Sequence, residues 1–113
     1  MAEYPTHYVK IRELFPAVFE ASAQLGDKAR QAGPVDNKTA HLIQLAASVA
    51  MDSEGAVHSH TRRALQAGAS REEIYHTVLL LVSTVGFPRT AAALSWVQDV
   101  FERSEPTSRP PAQ

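Results

Sequence analysis

Asp36-Asn37-Lys38-Thr39-Ala40-His41-Leu42-Ile43-Gln44-Leu45-Ala46-Ala47-Ser48-Val49-Ala50-Met51 is the stretch on which the reading turns. Asp36 can accept from the amides that a helix start leaves without partners, so it is read as a cap. Leu42, Leu45, Ala46 and Val49 then fall on one helical face, with Ile43 and Ala50 widening the stripe. Lys38, His41 and Gln44 start on the other side. Nothing in the stretch alternates with period two, so it reads as a helix and not a strand. Its small residues, Ala46, Ala47, Ser48 and Ala50, let a neighbouring helix approach closely.

The same grammar extends downstream. Asp52 and Ser53 can cap a helix over residues 54–67, with Glu54 complementing the dipole and Gly68 as the residue that ends it. Ser70-Arg71-Glu72-Glu73 is a capping box. The helix it opens is expected to run through Val82 and stop at Gly86. Pro88 suits the first position of a last helix reaching about Arg103. Upstream, Thr6 is a candidate cap, and Val9, Leu14, Val18 and Leu25 make a loose stripe ending at Gly33-Pro34. Pro16 kinks that segment or starts a second helix. The expectation is an all-α bundle of five to six helices. Residues 1–104 read as one domain, and residues 105–113, with three prolines, read as a disordered tail.

Composition narrows the function. The chain has 113 residues, with 11 Lys plus Arg against 12 Asp plus Glu. The basic residues are scattered, which argues against a nucleic-acid partner. No apolar run approaches the ~20 residues of a membrane span. The N-terminal residues lack a signal pattern, so the default compartment is the cytoplasm. Cysteine is absent, which removes thiol nucleophiles and thiolate metal sites. Val78 to Val82 is apolar on every side. Such a helix must be buried all round, and a domain this small has few places to do that, so self-association is expected.

Residues 38–50, 53–65, 67–74 and Gly86-Phe87-Pro88 resemble, in order and spacing, the signature of the carboxymuconolactone decarboxylase and alkylhydroperoxidase D superfamily. In the alkylhydroperoxidase D branch the signature helix carries two cysteines and a histidine, and the preceding helix a carboxylate. The matching positions here are Ser53, Ala56, His60 and His41. One relay residue of four is kept, so thiol peroxidase chemistry is not implied. The chain is more similar to the decarboxylase branch, which lacks the cysteine pair and keeps the histidine. That resemblance implies the superfamily's helical fold and a homotrimer or homohexamer. It also implies a cofactor-independent lyase acting on a small organic acid or lactone. The alternative is a non-catalytic helical oligomer that binds a small ligand or partner in the same cleft.

His60 is the candidate general acid or base. Ser53, Ala56 and His60 stand at i, i+3 and i+7 and share a face, and His41 is expected to approach them. Ser53 also sits where helix-start amides can hold an anion. Arg63, three residues after His60, borders the same face and is the candidate for a substrate carboxylate. Glu54 is a dipole partner that can double as an acid or base. His58 lies roughly 200° around the helix from His60, so it reaches a shared site only by way of a subunit interface. Two histidines with Ser53 make a poor metal set, so no metal and no cofactor are expected. His76 is expected to pair locally with Glu72 or Glu73, and Trp96 to pack in the core or an interface.

Overall fold

Pro16 divides the N-terminal segment, as a residue without an amide proton should. The computed structural model describes residues 6–103, and all regular structure among them is helical. Six helices and one single turn follow in order: α1 Thr6–Leu14, α2 Pro16–Gln31, α3 Asn37–Ala50, α4 Glu54–Gln66, α5 Arg71–Leu79, α6 Val82–Val85 and α7 Phe87–Arg103. Thr6 lies within α1 and is not its cap. The tail expected over 105–113 lies outside the described residues.

The caps form as the side chains dictate. Asp36 accepts from the Thr39 amide at 2.8 Å, and Ser53 from that of Ala56 at 3.3 Å. The Ser70–Glu73 box closes in both directions, at 2.9 and 3.0 Å. Gly68 and Gly86 take φ of 99° and 96°, the left-handed region that glycine enters without a Cβ clash. Arg89, at the start of α7, donates to the carbonyl of Ala50 at 3.0 Å and so satisfies one of the acceptors that α3 leaves at its end.

The core lies among α3, α4, α5 and α7. Leu45, Val49, Val57, Ile74, Val78 and Val97 are fully buried in one cluster. Each such side chain contributes about 1.5–3 kcal/mol over its exposed state. On α7 the inward residues are Thr90, Ala93, Val97, Val100 and Phe101, one face of a helix. Tyr75 meets Phe101 edge-on at 5.1 Å, and the Arg71 guanidinium covers the same ring at 4.9 Å, joining α5 to α7. Trp96 packs partly buried against this core.

Three expectations need correction. On α3 the buried residues are His41, Leu45, Ser48 and Val49, while Ile43 is 55% exposed. The helix packs against α4, α5 and α7, which turns the His41–Leu45–Ser48 line inward. On α2, Val18 and Leu25 are exposed along with Leu14 at the end of α1; the partly buried line is Phe19, Ala23, Gly26 and Arg30. That helix has no buried residue and packs chiefly on α1, so the pair forms an arm beside the core. Finally, the helix begun at Ser70 ends at Leu79, and a single turn follows before Gly86. Val78 is fully buried, but Leu79 and Leu80 are 52% and 62% exposed, so the chain alone does not enclose this apolar run.

Candidate functional site

His41 sits in the first turns of α3 and His60 midway along α4, the most closely associated helices of the fold. Their rings lie 6.0 Å apart, centroid to centroid, tilted by 38°. His41 is buried and His60 half-buried, and the Nδ1 atom of each is enclosed with no hydrogen-bond partner. An enclosed polar atom without a partner costs roughly 1–3 kcal/mol, which marks the pair for something other than packing.

The surrounding charge is positive. Arg30 of α2 binds the Gln44 side chain at 3.3 Å and pairs with Asp27. Arg63, one turn beyond His60, has no carboxylate partner among the described residues. Desolvation, then Arg63, His41 and Arg30, lower the His60 pKa to about 4. Desolvation first, then Arg30 and Arg63, lower that of His41, against a smaller opposing effect of Asp27. Both imidazoles are therefore neutral near pH 7, and each can accept a proton. Arg63 also borders a hollow of about 300 Å³ walled by Ile11, Phe19, Ala23 and Gly26 of the arm.

The six candidate residues separate into a trio, a pair and Ser53 alone. His41, His60 and Arg63 gather as described. Ser53 caps α4, and its hydroxyl uses the Ala56 amide, so that amide is not available to an anion. Glu54 and His58 belong elsewhere. His58 is buried toward α7, where its Nε2 stands 3.2 Å from Asp99 Oδ2 and 4.0 Å from Glu54 Oε2. Those three ligand-type atoms lie within 4.8 Å of one another. His76 pairs with neither glutamate: Glu73 is held by Lys38 of α3 at 3.0 Å and by the Ser70 cap.

Sequence reasoning missed Arg30 and Asp99. Arg30 stands eleven residues before His41 on a helix whose inward line contains only one large apolar residue, Phe19, so periodicity does not point to it. Asp99 looks like an ordinary charge on the outer side of α7 until α4 is placed against it.

Fold and site together define an all-helical protein that pairs imidazoles on adjacent helices and has no thiol. The family model described as the carboxymuconolactone decarboxylase family matches residues 16–99, and the chain belongs to that family. It is 28% identical, over 102 residues, to an uncharacterized protein of Methanocaldococcus jannaschii, covering 88% of this chain and 95% of that one. It is also similar to the crystal structure of an apo carboxymuconolactone decarboxylase family protein from Legionella pneumophila. That match has a TM-score of 0.73 and 28% identity, and covers 88% of each chain.

Proposed function

We propose that the protein is a cofactor-independent lyase that decarboxylates a small organic acid or lactone acid at the His41–His60 pair. The observation that carries the reading is the imidazole pair itself: two enclosed, unpartnered Nδ1 atoms flanked by Arg30 and Arg63 with a shortage of negative charge. A substrate carboxylate would supply that charge and pair with Arg63.

Loss of CO2 leaves an electron pair on carbon, which a lactone carbonyl can delocalise and which must then receive a proton. His60 is the group to deliver it. In the free protein burial first, and then the neighbouring cations, keep its imidazole neutral. A bound carboxylate offsets the share due to the cations, so His60 gains affinity for a solvent proton as the substrate arrives. The proton is then passed to carbon as the carboxylate departs, and His60 returns to its neutral form. Ser53 stays at the helix start as a positioning residue.

Family membership supports this reading, and the apolar hollow beside Arg63 favours a substrate with an apolar portion. The exposed apolar residues of the arm and of α5–α6 support a homo-oligomer, trimeric or hexameric, as its working form. The compartment that goes with the reading is the cytoplasm; among the described residues no helix is long and apolar enough to cross a membrane. The test is CO2 release from a panel of lactone and unsaturated dicarboxylic acids by wild type and by a folded His60→Ala variant. Equal turnover by both would make His60 structural and end the mechanism. If the variant binds the acids as wild type does and neither protein turns them over, the non-catalytic oligomer is the better description.

A further inference from the structure

On the far side of α4 from His60, the first two turns face α7. Glu54 and His58 are one turn apart there, and Asp99 comes across from α7. The His58 side chain is 11% exposed, with Nε2 turned to both carboxylates. The imidazole carries at most one proton at that nitrogen, enough for Asp99 at 3.2 Å. It leaves Glu54, at 4.0 Å, as a second negative group within 4.8 Å of the first. Two carboxylates this close repel each other unless a cation lies between them.

We propose that Glu54, His58 and Asp99 form a binding site for a divalent transition ion of the zinc, cobalt or manganese kind. Such ions hold nitrogen and oxygen at roughly 2.0–2.2 Å, which spaces ligand atoms on one ion about 3.0–3.5 Å apart. The His58–Asp99 separation of 3.2 Å already meets that spacing. Glu54, whose side chain is 58% exposed, has room to close from 4.0 Å. The imidazole selects against magnesium and calcium, which take oxygen ligands. Three protein ligands leave further positions to water, so the site is open. The ion would join α4 to α7, two helices of the core, on a face separate from the His41–His60 pair. The inference does not rest on the lyase reading.

The test uses the full-length, tag-free chain after chelator treatment. Zinc titrated calorimetrically is expected to bind at one ion per chain, and cobalt(II) to give visible bands characteristic of nitrogen–oxygen coordination. Glu54→Gln and Asp99→Asn, which keep side-chain shape, are expected to weaken binding at least tenfold each, and His58→Gln to abolish it. A His41→Gln/His60→Gln double variant is expected to bind as wild type does. No saturable binding, full affinity in Glu54→Gln, or loss in the double variant would each overturn the proposal. Because Glu54 is exposed, its variant carries the test even if His58→Gln does not fold.

Discussion

Acid should destabilise this protein through His60, by an amount that follows from its surroundings. In the unfolded chain an imidazole takes its proton near pH 6.5, whereas in the fold His60 does so only near pH about 4. Between those values the unfolded state holds the extra proton, so falling pH favours unfolding. The stabilising contribution of the neutral imidazole is complete above the unfolded value and is lost as pH falls toward the folded one. Going from pH 7 to pH 5 therefore removes about 2 kcal/mol on account of His60. His41 is shifted in the same direction and adds to the loss. The assay is urea unfolding of wild type and His60→Gln at both pH values. With a slope of about 1–2 kcal/mol per molar, the wild-type midpoint should drop by roughly 1–2 M. The variant should lose most of that drop and keep the share due to His41. An equal drop in both proteins, or an NMR titration placing His60 near 6.5, would refute the reasoning.

Light scattering at micromolar concentration should give a trimer or hexamer mass, and Leu80→Glu should lower it without loss of helical circular dichroism. Dithiol-dependent turnover of an organic hydroperoxide should be absent, since the chain has no cysteine to cycle; activity surviving rigorous purification would contradict this. Ser70→Ala should cost about 1 kcal/mol by opening the capping box, and Leu45→Ala about 2–5 kcal/mol by leaving a cavity, both read from chemical unfolding.

Helix positions and ends were largely legible because each is fixed by short-range chemistry: Asp36, Ser53 and Ser70 as caps, Pro16 as a divider, Gly68 and Gly86 as stops. Which way each helix faces was less legible. His41 and Ser48 lie inside because α3 is packed against α4, α5 and α7, and a single-stripe reading puts His41 outside. The break after Leu79 has no glycine or proline to announce it; it comes from the chain turning back to lay α7 on the core. At the site, the His60 face followed from spacing along one helix, and its approach by His41 from the family resemblance. Arg30 and Asp99 depend on contacts between helices distant in sequence, which no local pattern encodes.

The arm formed by α1 and α2 has a consequence for how such a protein can diverge. The imidazole pair is held by α3 and α4, where each neighbour is constrained by tight packing. Arg30 and most of the hollow's wall belong to α2, which has no buried residue. Substitutions at exposed wall residues such as Val18 or Ser22 are thus set apart from the core, and surface changes of that kind usually alter stability little. The shape and charge met by a ligand can drift there while the proton-handling pair stays fixed, so one scaffold can acquire new ligands without first being restabilised.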